Sequence, residues 1–260
     1  MIEKYYNGVI EQVAGGIGNV EHNSILVRYS NDFSIWDLES VNHYKDQTDI
    51  FFTCHEFSYN KIAEAYEPYL GLIRQMFHKY CSGTLEEFME ECDVYKLQRP
   101  VFESYFEKGF CERTEQILID EVEYEQERMR NSIVTMLQKL SEIRPVVIVL
   151  NRFQLASKST MQLSNSLLQV KNKNIGIVLG VNDVQSIPEF AHEEWDAICE
   201  SMDDRNMVYH IGNAGRNMEP DVMDYYSDYE SDDGYRKLNN LVYFLDFDQA
   251  DHHLSKIERR

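Results

Sequence analysis

"RPVVIVLNRFQLASKST" (residues 144–160) is the stretch that decides the fold. Five apolar residues, Val146 to Leu150, follow a proline without interruption and end at Asn151 and Arg152. An unbroken apolar run of this length predicts a strand that is buried on both faces of a parallel sheet. Open α/β sheets bind their ligands just outside the carboxyl ends of such strands. Asn151 and Arg152 therefore stand where a binding site is expected.

Further strand patterns alternate with helical patterns along the rest of the chain. Strands are predicted at 25–27, 50–54, 175–183 and in "MVYHIG" (207–212), and helices near 2–13, 35–44, 69–80, 159–169 and 193–202. Residues 84–142 form a helical stretch that opens with the capping-box spacing Thr84-x-x-Glu87. The connections are long enough for crossovers between parallel strands. The pattern predicts a three-layer α/β fold with a parallel sheet of about five strands and a helical insert between the second and third main strands.

Composition narrows the classes of function. The chain has 260 residues with a formal net charge of -20, which disfavours direct binding to nucleic acid or to an anionic membrane. No apolar run approaches the ~20 residues that a membrane-spanning helix needs. The five cysteines are scattered and form no C-x-x-C pair, and the N-terminal residues lack the pattern of a signal peptide. These features predict a cytoplasmic protein with reduced thiols.

The C-terminal part differs from the rest in composition. Acidic residues are concentrated in 201–236, which we predict to be a linker, and helical spacing returns in 237–260. The apolar positions of this helical segment have no obvious partner elsewhere in the sequence. The pattern is typical of three arrangements: the first of several helical repeats in a longer protein, a helix that packs back on the sheet, or a helix that mediates self-association.

Three segments have a familiar order and local sequence: "FFTCHEFSYNKIAEAYEPYLGLIRQMF" (51–77), "RPVVIVLNRFQLASKSTMQLSNSLL" (144–168) and "NIGIVLGVND" (174–183). Together they resemble the second strand and following helix, the Walker B strand and the sensor strand of a P-loop ATPase domain of the STAND/AAA class. Such domains occur in signalling and transcription-regulating ATPases and are related to origin-recognition ATPases. The resemblance covers residues 3–200 and implies a P-loop NTPase-like domain over 1–200.

The loop after the first strand departs from the family pattern. A Walker A loop, G-x-x-x-x-G-K-[ST], binds phosphate through its amides and its lysine. Here "YSNDFSIW" (29–36) occupies that place, so isoleucine replaces the lysine and tryptophan the hydroxyl residue. The family-equivalent nucleotide positions in this loop are Ser30, Asn31 and Ser34, and the neighbouring Asp32 would place a negative charge against phosphate. "AGGIGN" (14–19) resembles a glycine-rich phosphate loop, but Asn19 stands in place of the lysine, and a helix stop explains its glycines as well.

The Walker B and sensor positions are also altered. Asn151 and Arg152 replace the acidic pair that holds Mg²⁺ in the family, and Asn182 occupies the polar sensor position. We also expect an ion pair between Arg152 and Asp183. His55 and Glu56 could serve acid–base chemistry or a metal ion, although they lack a further ligand at suitable spacing.

The leading prediction is a catalytically inactive ATPase-like module of a bacterial-type signalling or regulatory protein. It would need no cofactor and would act through a protein partner or through further domains of a longer chain. The alternative is a STAND-type ATPase that still binds MgATP weakly as a conformational switch. A third possibility is a purely structural domain.

Overall fold

Strands and helices alternate along the chain as the sequence predicts. The computed structural model describes residues 2–19, 23–30, 34–45, 49–58, 61, 63–111, 122–170, 172–183, 187, 191–203, 208–211 and 232–258. The strands are β1 (Ser24–Tyr29), β2 (Phe51–Glu56), β3 (Val146–Asn151), β4 (Ile175–Asn182) and β5 (Val208–Ile211). The helices are α1 (Ile2–Gly15), α2 (Glu39–Lys45), α3 (Tyr69–Tyr80), α4 (Leu85–Glu91), α5 (Arg99–Lys108), α6 (Val122–Ile143), α7 (Lys158–Gln169), α8 (His192–Asp203), α9 (Asp232–Tyr243) and α10 (Phe247–Glu258).

The five strands form one parallel sheet in the order β2-β3-β4-β1-β5. Every residue of β3 and of β4 is buried. Because successive side chains of a strand point to opposite faces, both faces of the central sheet are covered. The prediction of a mixed α/β fold around a parallel sheet is therefore confirmed.

The described contacts divide the chain into two compact units. Unit 1 comprises Met1–Ser58, Ser141–Ala156 and Ser164–Asp224, and unit 2 comprises Tyr59–Leu140, Ser157–Leu163 and Tyr225–Arg260. Unit 1 holds the whole sheet, whereas unit 2 is built from helices. The sequence predicted one domain over 1–200, which spans parts of both units.

In unit 1, α1 and α2 pack against each other and against the sheet. The helical spacing of α1 buries Tyr6, Val9, Ile10 and Val13, as an amphipathic helix requires. The glycines that follow end this helix: α1 stops at Gly15, and the next turn contains Gly18 with a φ of 96°. Only glycine adopts that conformation readily, so the "AGGIGN" segment is a helix stop and turn.

Unit 2 contains α4, α5 and α6 up to Leu140, which belong to the predicted helical insert, and the C-terminal helices. Residues 112–121 of the predicted insert lie outside the described residues. The capping box is present: the Glu87 backbone N–H donates to the Thr84 hydroxyl at 3.2 Å, and the Glu87 carboxylate accepts from the Thr84 backbone N–H at 2.8 Å. None of the described helices, α6 with its 22 residues included, is long and apolar enough to cross a membrane.

The C-terminal helices are packed into unit 2, contrary to the expectation that their apolar face lacks a partner in the chain. Phe244, at the end of α9, is fully buried among aromatic rings. Its ring centroid lies 6.1 Å from that of Tyr66, 5.8 Å from that of Phe102 and 5.6 Å from that of Tyr105. Part of this face is thus buried inside unit 2, whereas Val242 and Leu254 are 42% and 47% exposed. Self-association through the C-terminal helices stays a prediction.

The segment predicted as a linker, 201–236, contains regular structure at both ends. The last turn of α8 reaches Asp203, β5 occupies Val208–Ile211, and α9 begins at Asp232. β5 pairs with β1 and so belongs to the sheet. The central part of the predicted linker, 212–231, lies outside the described residues.

A buried carboxylate joins two helix N-termini within unit 2. Asp246 accepts hydrogen bonds from the backbone N–H of Ser159 in the first turn of α7, at 3.0 Å, and from that of Gln249 in the first turn of α10, at 3.4 Å. Burial raises the pKa of Asp246 above its ordinary value, although the hydrogen bonds from Ser159 oppose this shift. A carboxylate at a helix N-terminus satisfies backbone donors that the helix itself leaves unpaired.

Candidate functional site

The carboxyl edge of the sheet in unit 1 brings the predicted nucleotide positions together. β4 lies between β3 and β1, and all three strands run in the same direction. Asn182 at the end of β4 is in register with Tyr29 at the end of β1, and Glu56 at the end of β2 is in register with Asn151. The ends of four adjacent strands therefore form one continuous surface.

A polar network centred on Asn151 fills this edge. Asn151 is fully buried, and its Oδ1 accepts a hydrogen bond from the Tyr29 hydroxyl at 2.7 Å. Its Nδ2 donates to Glu56 Oε1 at 3.2 Å. Since the amide uses its acceptor toward Tyr29 and a donor toward Glu56, it bridges β1 and β2, whose ends are separated by two other strands.

Arg152 and Ser34 contact the same carboxylate. Arg152 Nε lies 3.5 Å from Glu56 Oε1, an ion pair rather than a short hydrogen bond, and the Ser34 hydroxyl lies 3.4 Å from Glu56 Oε2. The two side chains of the ion pair are 22% and 12% exposed, so the charges are only partly hydrated. Arg152 has a φ of 53°, in the left-handed region, and this places it immediately after the buried strand.

Glycine at position 180 makes room for the network. Gly180 lies two residues before the end of β4, and the side chains of Tyr6 and Asn151 pack against its backbone. A Cβ atom at this position would overlap the Tyr6 hydroxyl and would lie 2.6 Å from Asn151 Oδ1. The bridge from Tyr29 to Asn151 therefore depends on the absence of a side chain on the strand between them.

Asn182, at the predicted sensor position, is held through hydrogen bonds of its backbone. The Asn182 N–H donates to Gln154 Oε1 at 3.3 Å, and Gln154 Nε2 donates to the Asn182 carbonyl at 3.4 Å. Both side chains are buried. These two hydrogen bonds from Gln154 connect the end of β4 to the loop that follows β3.

The predicted loop positions lie close to the same edge. Ser30 directly follows β1 and is half-buried. Ser34 caps a short 3-10 helix, Ile35–Asp37, by accepting a hydrogen bond from the Trp36 N–H at 3.3 Å. Asn31 and Asp32 lie outside the described residues.

The predicted ion pair between Arg152 and Asp183 is wrong, because both residues have other partners. Asp183 Oδ1 lies 2.8 Å from Arg28 Nε, and Arg152 pairs with Glu56. The reason is the register of the sheet. The Asp183 N–H donates to the Tyr29 carbonyl at 2.8 Å, which continues the pairing with β1, the strand that carries Arg28.

Burial suppresses ionisation of the hydroxyl and thiol groups near the network. The pKa of Tyr6 is raised well above its ordinary value, first by burial and then by Tyr29 and Glu56. Burial is also the main reason why the pKa of Cys54, on β2, is raised to about 11. Both groups are therefore protonated at neutral pH. Neither is an activated nucleophile.

The edge offers little to a metal–phosphate ligand. Glu56 supplies a carboxylate, but its oxygens already face an amide, a hydroxyl and a guanidinium. Among the residues that the structure describes, no group of three or more His, Cys, Asp or Glu side chains is arranged to hold a metal ion. Mg²⁺ bound here would have to displace Arg152 and to share Glu56 with neutral ligands.

Sequence reasoning found Asn151, Arg152 and Asn182 but missed the partners that determine their role. Tyr29, Gly180 and Gln154 carried no motif, and Glu56 was considered only together with His55. One signal was available for Glu56: it ends a buried strand, as Asn151 does, and parallel strands end at the same edge of a sheet.

A scan of the chain against models of protein families finds no match, and a search of curated proteins also finds no match. Function is therefore inferred from the geometry of this edge.

Proposed function

We propose that the chain is a P-loop ATPase-like module that has lost nucleotide chemistry and acts through protein contacts in a signalling or regulatory protein. The bridge that Asn151 makes between Tyr29 and Glu56 carries this proposal. In the family that the sequence resembles, an acidic residue at this position helps to hold Mg²⁺. Here the amide of Asn151 occupies this position, and it hydrogen-bonds to Tyr29 and Glu56 instead.

The charges at the edge support the same conclusion. A triphosphate with Mg²⁺ needs a lysine near the phosphates and carboxylates near the metal. At this edge the guanidinium of Arg152 faces the carboxylate of Glu56 at 3.5 Å, so each charge is compensated inside the protein. Releasing either group toward a ligand would leave the other partly buried without its partner, at a cost of about 1–3 kcal/mol.

The surface charge bears on the kind of partner. A formal net charge of -20 repels polyanions, so a protein surface is a better partner than nucleic acid or an anionic membrane. A cytoplasmic location and attachment to further domains remain part of the proposal.

The alternative, an ATPase that still binds MgATP, makes a different prediction for phosphate release. We expect the full chain to release phosphate from MgATP no faster than buffer does, and the matched variant Glu56→Gln to behave identically. Protein-dependent release that Glu56→Gln abolishes would refute the proposal, because it would show that this carboxylate performs chemistry. Release that persists unchanged in Glu56→Gln would identify a contaminating enzyme.

A further inference from the structure

A cationic groove lies in unit 2, among residues that the proposed function does not use. It has a volume of about 520 Å³, within the range of small-molecule sites. One wall is the connection from α4 to α5, and the other is one face of α6. Its lining residues are Cys92, Asp93, Val94, Tyr95, Lys96, Arg99, Arg128, Asn131, Ser132 and Thr135.

The groove is lined mainly by positively charged residues, although the protein as a whole is negatively charged. The whole chain has 25 lysines and arginines against 45 aspartates and glutamates, yet the lining contains Lys96, Arg99 and Arg128 against Asp93 alone. Glu125 offsets the charge of Arg128, so the lining keeps its excess of positive charge through Lys96 and Arg99 against Asp93. The local excess of positive charge indicates an anionic ligand.

Arg128 is held in place before any ligand arrives. Its guanidinium lies 4.2 Å from the ring centroid of Tyr95 and 4.1 Å from that of Tyr124, and it forms an ion pair with Glu125 at 3.2 Å. Stacking between two rings fixes the plane of the guanidinium and reduces the entropy lost on binding. An arginine in this state is suited to bidentate recognition of a phosphate.

The other two cations have capacity left for a ligand. Arg99 donates from Nε to the Val94 carbonyl at 3.1 Å, which anchors its side chain and leaves its terminal nitrogens for other acceptors. Lys96 is exposed and makes no ion pair with the residues that the structure describes. The polar side chains of α6 at positions 131, 132 and 135 share one helix face with Arg128, since they follow it by three, four and seven residues.

We propose that this groove binds a small phosphorylated molecule through its phosphate group. A phosphate ester carries up to two negative charges and three acceptor oxygens, which match three separate cations. A small ligand is favoured over a polyanion, because the formal net charge of the whole chain is -20 and repels a long anionic chain. The proposal is independent of the sheet edge, which lies in unit 1.

The test is calorimetric titration of the full chain with glycerol 2-phosphate and with inorganic pyrophosphate, both without Mg²⁺. We expect saturable binding that Arg128→Gln weakens about tenfold or more, the effect of removing a charged hydrogen-bonding partner. Lys96→Glu should weaken binding at least as strongly. This variant is safe for folding, because the side chain is exposed.

Lys139→Glu is the matched control. Lys139 lies on α6, the helix that carries Arg128. It is exposed, and it forms an ion pair with Glu91 at 3.3 Å outside the groove. The variant changes the net charge by the same amount as Lys96→Glu, and it also removes an exposed ion pair, so it measures the effect of a charge reversal outside the groove. The proposal is overturned if neither probe gives saturable heat at millimolar concentrations, or if Lys139→Glu weakens binding as much as Lys96→Glu does.

Discussion

Replacing Asn151 by aspartate restores the type of side chain that a metal site needs and should destabilise this protein. The amide donates to Glu56 Oε1 at 3.2 Å, and an aspartate cannot donate when it is ionised. The variant would therefore place two carboxylates next to each other in a buried position. The hydrogen bond from the Tyr29 hydroxyl, at 2.7 Å, would remain.

The magnitude follows from two contributions. Two unit charges 4 Å apart repel by about 4 kcal/mol at an effective dielectric constant of about 20, and Arg152 offsets part of this repulsion. The lost hydrogen bond to a charged group is worth about 1.5–3 kcal/mol. One carboxyl group escapes the repulsion by staying protonated, which costs about 1.4 kcal/mol for each unit by which its pKa is raised. We expect Asn151→Asp to lose about 3 kcal/mol of the free energy of unfolding at neutral pH.

Urea unfolding followed by tryptophan fluorescence measures this loss. Both tryptophans, Trp36 and Trp195, belong to unit 1, so the signal reports on the unit that contains the network. Because the new carboxyl has a raised pKa in the folded state, the deficit should shrink as the pH falls. Asn42→Asp, an exposed change on α2, is the control and should alter stability by less than about 0.5 kcal/mol. If Asn151→Asp is as stable as the wild type, or gains stability when Mg²⁺ is added, the edge is a metal site and our reasoning is refuted.

Three further substitutions test other features of the two units. Gly180→Ala should cost about 1–3 kcal/mol by overpacking, whereas Gly8→Ala, where a Cβ meets nothing within 4 Å, should leave unfolding by urea unchanged or slightly harder. Arg152→Ala should cost about 1–3 kcal/mol in the same assay, because it leaves the largely buried carboxylate of Glu56 without its cation. Arg28→Ala is the control and should cost at most about 1 kcal/mol, because both side chains of its ion pair are 35% exposed. Equal losses of stability in the two variants would contradict this reasoning. Burial raises the pKa of Asp246, so its protonated form favours folding: stability is fully present below the ordinary pKa of 3.8 and falls as the pH rises through the folded value. Asp246→Asn should remove that fall, as measured by far-ultraviolet circular dichroism over a pH series; an unchanged pH profile would show that the carboxyl does not titrate as described.

Much of the sheet could be predicted because its strands are buried. Val146 to Leu150 and Ile175 to Val181 are runs without a polar side chain, and both lie in strands inside the sheet. The pattern "MVYHIG" predicts that β5 is a strand, but the sequence does not show that this strand lies beside β1. A strand of four residues, two half-buried and two exposed, fixes no neighbour by its sequence alone.

The network at the sheet edge was beyond sequence reasoning for a similar reason. Its bridge runs from Tyr29 to Asn151 across a strand that carries Gly180, and this requires β4 to lie between β1 and β3. Strand order depends on how the crossovers pack, which a single sequence does not show. The groove in unit 2 likewise combines residues 92–99 with residues 128–135, and their proximity depends on helix packing.

Calorimetric titration of MgATP tests the central claim most directly, with Lys96→Glu as the protein so that binding at the groove in unit 2 is weakened. We predict no saturable heat that requires Mg²⁺ and that Arg152→Ala alters, and no Mg²⁺-dependent rise in melting temperature at ligand concentrations where a retained site would act. A site at 100 times its dissociation constant would add about 2.7 kcal/mol of stability, which is easily detected. Saturable, Mg²⁺-dependent binding that Arg152→Ala alters would contradict the account, since it would show that the sheet edge still accepts a nucleotide.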